Sequence, residues 1–185
     1  MTEMIEIVHT SVLREEAFEY LVPEDSDGFF VDATLGEGGH SDYFLRSNGH
    51  LRVAGVDADK EIMKVAQKRL AEYGDRISFH GMWFNQFFAS YPADLPRPNG
   101  ILFDLGISTF HYEKGERGFS FRKDEALDMR LESGLEISAA DIVNEYPEEE
   151  LADIIFEYGE ERLSRRIARE IVGARGEEPI RSSKQ

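Results

Sequence analysis

A chain of 185 residues that is 41% hydrophobic is long enough for one α/β domain with a core of useful size. It has no cysteine, which excludes disulfides and thiolate metal sites. Its net charge of −16 argues against broad, non-specific nucleic-acid binding, which depends on neutralising phosphates.

The N-terminus carries no apolar run of signal-peptide length, and no segment is long enough to span a bilayer. A soluble, cytoplasmic protein without membrane partners is therefore the default expectation. The charge is uneven. Residues 161–185 hold seven Lys/Arg against four Asp/Glu, a local excess of +3, so the rest carries −19.

Residues 1–13 read as a segment extended over the surface. Arg14 to Leu21 has helical spacing of Ala17, Phe18 and Leu21. Pro23 to Gly28 reads as a polar turn. Then comes the central stretch, Phe29-Phe30-Val31-Asp32-Ala33-Thr34-Leu35-Gly36-Glu37-Gly38-Gly39-His40. A short apolar run ends in an acid, a glycine-rich turn follows, and a helix begins. That is the first unit of a nucleotide-binding α/β sheet. His40 to Ser47 is the crossover helix, and Asn48-Gly49 stops it.

Leu51 to Asp57 is a second strand ending in an acid. Asp57 lies about 20 residues beyond the glycine loop, where a βαβ unit places a carboxylate on ribose hydroxyls. Ser41 stands where the dinucleotide fingerprint has its third glycine, so no pyrophosphate site is specified. An adenosine cofactor without phosphates fits better, and S-adenosylmethionine is the obvious one. A nicotinamide oxidoreductase fits least.

Asp59 is a good N-cap for a helix from Lys60 to Tyr73, closed by Gly74. Ile77 to His80 is a third strand. Gly81 to Phe84 is the loop at its C-terminal end, and a brief helix follows towards Tyr91. Pro92 to Asn99 is a loop, and Gly100 to Asp104 is a fourth strand. Strands alternating with helices predict a parallel sheet with its ligand at the strand C-termini.

The pattern changes near residue 110, the candidate domain boundary. His111 to Gly134 is a long polar loop. Three helices follow: Ser138 to Tyr146 with Ser138 and Asp141 resembling a capping box, Pro147 to Tyr158 closed by Gly159, and Glu161 to Ala174. The histidines and carboxylates show no metal-ligand spacing, so no metal is expected.

Several of these stretches, in this order, resemble one family. They are Asp32 to His40, Asp104-Leu105-Gly106-Ile107-Ser108, Glu116 to Phe121, Leu127-Asp128-Met129-Arg130, Tyr158 to Arg162, and Arg165 to Ala168. Together they are similar to the MraW family of ribosomal small-subunit RNA methyltransferases. The resemblance runs from His9-Thr10-Ser11-Val12-Leu13 to the last residues.

It implies a Rossmann-like class I methyltransferase sheet carrying a helical insertion. Residues 1–110 would be the S-adenosylmethionine-binding domain, and 111–185 an incomplete substrate-recognition insertion. The family continues for roughly a hundred residues more, a domain-scale stretch, which adds the closing strands. This chain therefore reads as a fragment or a shortened relative. The implied reaction is methylation of cytidine N4 in small-subunit ribosomal RNA, the partner being that RNA or the assembled small subunit. Oligomeric state stays open, a dimer included.

By the same resemblance Gly38, Gly39 and His40 line the methionine end of the cofactor. Asp57 takes the ribose hydroxyls, Phe84 lies by the adenine, and Asp104 lies near the sulfonium and amino group. The His80-Gly81 pair after the third strand is shifted by one residue from the family pattern, so Trp83 competes with Phe84. His111 stands in place of a cofactor-contacting glutamine. Asp104 and Ser108 bound the segment expected to face methyl donor and base, and are the catalytic candidates. Arg117, Arg122, Arg130 and the Arg162–Arg169 face could grip RNA phosphates, against the plainer reading of solvated helix arginines paired with glutamates. Two other classes stay open: a methyltransferase acting on a small molecule, and a non-catalytic remnant with an adenosine pocket.

Overall fold

The structure is a computed structural model, and it describes residues 11–22, 27–113, 116–132 and 134–185. The expected surface segment before Ser11 and the core of the turn at 23–26 lie outside the described residues. The chain divides into two compact units, Met1–Phe110 and His111–Gln185. Among the described residues no helix is long and apolar enough to cross a membrane.

The first unit is built on four parallel strands, β1 (Phe29–Asp32), β2 (Arg52–Val56), β3 (Ile77–His80) and β4 (Gly100–Leu102), in the order β3-β2-β1-β4. β1 is central and buried along its whole length. Its alternation sends Phe30 to one face and Phe29 and Val31 to the other. A parallel strand covered on both faces reads as a continuous apolar run, which is how β1 and β2 look in the sequence.

Helices α1 (Arg14–Leu21), α2 (Gly39–Ser47) and α3 (Lys60–Arg69) cover the first face. Phe30, Phe44, Leu45, Val53, Met63, Ala66 and Leu70 form that core, with Phe18 of α1 edge-on to Phe44 at 5.5 Å. On the second face Phe87 of α4 (Phe84–Ala89) is buried among Phe29, Val31, Ala54 and Val56. Asp59 caps α3 as expected, its side chain accepting from the Glu61 backbone N–H at 2.9 Å.

Two boundaries move. The helix expected over Lys60–Tyr73 stops at Arg69. A 3₁₀ stretch, Ala71–Arg76, follows and is bent at Gly74, whose φ of 56° no α-helix contains. β4 ends at Leu102 rather than Asp104. Leu102 is opposite Asp32, the last residue of β1, so the ladder has no further partner strand there. The Asp104 N–H donates instead to Thr34 Oγ1 at 2.8 Å.

A short helix, α5 (Thr109–Glu113), spans the boundary between the units, where a loop was expected from His111. Three further helices, α6 (Ala139–Glu145), α7 (Glu148–Glu157) and α8 (Ser164–Glu177), pack around Leu151, Ala152 and Ala168 with Ile142, Ile155 and Ile171. The Ser138/Asp141 capping box is complete, with both reciprocal bonds present. Pro147 stands one residue earlier than expected, as the N-cap of α7. α8 starts three residues later than Glu161, because Glu161 caps the preceding turn through Leu163 N–H at 2.7 Å. It also runs three residues past Ala174.

Candidate active site

The loop between β1 and α2 is held at its base by backbone and by one acid. Leu35 N–H donates to Val56 O at 2.9 Å, Gly36 N–H to Asp57 Oδ2 at 2.9 Å, and Gly38 N–H to Leu35 O at 2.8 Å. Gly36 and Gly38 take φ of +54° and +79°, which side chains disfavour. A Cβ on Gly38 would meet Leu70 Cδ1 at 2.8 Å, so Gly38 is needed for packing as well as conformation. A Cβ on Gly36 meets nothing nearer than 4.0 Å. Gly39 begins α2, close against Ser11.

Asp57, half-buried after β2, does structural work with both oxygens. Oδ2 holds Gly36, and Oδ1 accepts from Asp59 N–H at 2.9 Å. His40, in the first turn of α2, is buried, and its Nε2 lies 3.7 Å from Asp104 Oδ2. That is an ion-pair distance, too long for a hydrogen bond. The Asp104 side chain is about half exposed. The structure thus brings Gly38, Gly39, His40, Asp57 and Asp104 to the C-terminal edge of β1, β2 and β4.

The order β3-β2-β1-β4 matters here. β1 leads to β2 on one side and is flanked by β4 on the other, so the strand order reverses between β1 and β4, and open α/β sheets bind ligands in the crevice outside the strand C-termini at such a switch point. Phe84 opens α4 and packs edge-on to Phe103, the neighbour of Asp104, at 5.3 Å. Trp83 is the half-buried N-cap of the same helix. Ser108 Oγ accepts from Phe110 N–H at 3.2 Å, a local turn at the start of α5. His111 belongs to the second unit, where it is buried with its ring 5.4 Å from Phe119.

One acid carries a role that the sequence reading did not assign. Asp32, the last residue of β1, is 1% exposed. Ser41 Oγ donates to its Oδ2 at 2.7 Å, and Thr34 N–H to its Oδ1 at 3.4 Å. Burial pushes its pKa up from 3.8 to about 6, the two hydrogen bonds pull against this, and the charges of Asp57 and Asp104 push further up. The available signals were Asp32 at a strand end and a serine nine residues on. Neither shows from sequence alone that the two meet.

Asp32, buried, and the partly exposed Asp57 and Asp104 therefore lie within electrostatic reach of one another beside a glycine turn. Such a field repels the two charges of a pyrophosphate and favours a ligand carrying positive charge and hydroxyl donors. Among the described residues no three His, Cys, Asp or Glu converge closely enough to hold a metal ion.

The parallel sheet, its crevice and the glycine turn define a Rossmann-like methyltransferase fold. The chain belongs to the MraW methylase family, whose match extends over residues 6–185. A ribosomal RNA small subunit methyltransferase H of Treponema denticola is 56% identical over 178 residues, covering 96% of this chain and 56% of its own length. Proteins of the same name from Borrelia turicatae and Nostoc punctiforme are 43% and 47% identical over 182 and 173 residues, covering 97% and 94% of this chain. This chain spans 61% and 56% of their respective lengths.

Proposed function

We propose that this chain belongs to an S-adenosylmethionine-dependent methyltransferase acting in the cytoplasm on cytidine N4 of small-subunit ribosomal RNA. Residues 1–110 bind the cofactor and 111–185 recognise the substrate. The observation that carries the reading is the set of acids at the crevice. S-adenosylmethionine brings a sulfonium and an ammonium against one carboxylate, a net positive charge, and the group it supplies is the methyl on sulfur.

Each residue has a task in this reading. Gly38 and Gly39 let the backbone come close to the methionine end. Each oxygen of a carboxylate accepts more than one hydrogen bond, so Asp57 can hold Gly36 and also take a ribose hydroxyl. Phe84 is the better adenine wall, because Phe103 fixes its ring beside Asp104. Asp104 faces the cationic part, with His40 behind it.

Cytosine N4 is a weak nucleophile because its lone pair is delocalised into the ring. A carboxylate that accepts one amino hydrogen holds the nitrogen in line with the methyl carbon, and positioning of this kind supplies much of an enzyme's rate gain. Asp104 is the group exposed enough to do so. Ser108, tied to the backbone of Phe110, shapes the segment that presents it. The base is reached only when unstacked or single-stranded.

The test is methyl transfer from labelled S-adenosylmethionine to small-subunit ribosomal RNA and to assembled subunits, followed by nucleoside digestion. N4-methylcytidine is the expected product, absent with Asp104→Ala. Label in another nucleoside, or in a small molecule only, would contradict the reading.

A further inference from the structure

α7 and α8 form an antiparallel pair whose exposed surfaces differ in charge. Residues 162–169 contain Arg162, Arg165, Arg166 and Arg169 and no acid, in a chain of net charge −16. The buried side of α8 is Ser164, Ala168 and Ile171 against α7. Helical geometry turns Arg165, Arg166 and Arg169 away from it. Arg162 stands on the turn just before.

The placement of these charges works against the helix. α1, α2, α3, α6 and α7 all carry acids in their first turn, as the helix dipole favours. α8 has none there, and has Arg165 and Arg166 instead. The arginines are also poorly neutralised. Arg165 and Arg169 approach Asp153 and Glu148 only at 3.9 and 3.8 Å, each arginine side chain 72% exposed. Pairs of this kind contribute little and exchange readily for a better anion. Among the described residues no carboxylate lies within ion-pair distance of Arg162 or Arg166. At the same turn Tyr158 is 83% exposed and Leu163 59%.

Resting on the function proposed above, we infer that Tyr158 and Arg162–Arg169 form a docking face for single-stranded RNA. The guanidinium groups take phosphates and the Tyr158 ring stacks on a base. A row of arginines one helical turn apart beside an exposed aromatic suits a polyanion with flat bases. An acidic protein would match the charge and leave the tyrosine unused.

The experiment is fluorescence anisotropy of the full chain with a labelled single-stranded RNA of small-subunit ribosomal sequence, across a salt series. Arg162→Ala with Arg166→Ala is expected to weaken binding roughly tenfold and to flatten the slope of log K against log salt by about 1.4. Tyr158→Ala is expected to weaken binding roughly tenfold with the slope unchanged, and Tyr158→Phe to restore it. A control that removes equal charge from the first unit, Lys68→Ala with Arg97→Ala, is expected to change neither. An unchanged slope in the arginine variant, an equal loss in the control, or displacement of the RNA by polyglutamate as readily as by unlabelled RNA would each overturn the inference. Cofactor titration of the same variants is read separately, so failure of the methyltransferase reading and failure of this face are distinguishable.

Discussion

Asp57→Ala is expected to weaken S-adenosylmethionine binding by about a hundredfold and to destabilise the first unit by roughly 2–4 kcal/mol. Two effects combine because the carboxylate has two duties. Towards the protein it holds the Gly36 N–H and the Asp59 N–H, both at 2.9 Å, and alanine leaves both donors without that acceptor. Towards the ligand it is the acceptor for the ribose. Asp57→Asn separates the duties. The amide keeps one carbonyl oxygen for the backbone, so unfolding in urea should fall between wild type and alanine. The charged acceptor is gone in both variants, so cofactor affinity should drop nearly as far in asparagine as in alanine. Full cofactor affinity in Asp57→Asn would remove the ribose role and leave only the structural one.

The second large effect concerns Asp32 and pH. Its folded pKa of about 6 lies above the unfolded 3.8, with burial as the main cause. Between these values the folded protein holds a proton that the unfolded chain releases. Stability from this group is therefore full below pH 3.8 and is lost as pH rises through about 6. The difference of about two pK units corresponds to roughly 3 kcal/mol. Asp32→Asn removes the titration while keeping the contacts, since the amide oxygen can accept from Thr34 and the amide nitrogen can donate to Ser41. Urea unfolding of both proteins from pH 4 to 7.5 checks this. The variant should gain on wild type by roughly 3 kcal/mol across the window, whereas parallel curves would contradict the buried-acid account.

Local chemistry made much of this site legible in the sequence. The acid-ended strands, the glycine turn and the spacing to Asp57 are short-range signals, and the structure brings Gly38, Gly39, His40, Asp57 and Asp104 to one edge. The Asp59 cap and the Ser138/Asp141 box were legible for the same reason. What sequence reasoning missed depends on contacts between distant residues. Asp32 counts as a site acid only because Ser41 folds back onto it and the strands around it exclude water. β4 stops early because β1 ends opposite Leu102, and the next anchor is a threonine hydroxyl 70 residues away. The helix after Lys60 breaks at Arg69, and no periodicity of apolar residues predicts a 3₁₀ bend through Gly74. His111 takes the place of a cofactor-contacting residue in the family pattern, and its burial with its ring 5.4 Å from Phe119 is set by residues that no local motif shows. Placing it by a motif was sound for sequence position and silent about surroundings.

The central claim is that the C-terminal edge of this sheet holds a cationic adenosine cofactor. Calorimetric titration of S-adenosylmethionine into the folded chain, with NAD as control, tests it most directly. The account predicts micromolar-range binding of S-adenosylmethionine and none of NAD, whose pyrophosphate meets the charges of Asp57 and Asp104. Binding of NAD with equal or greater affinity, or no binding of S-adenosylmethionine by a chain with a cooperative unfolding transition, would contradict it.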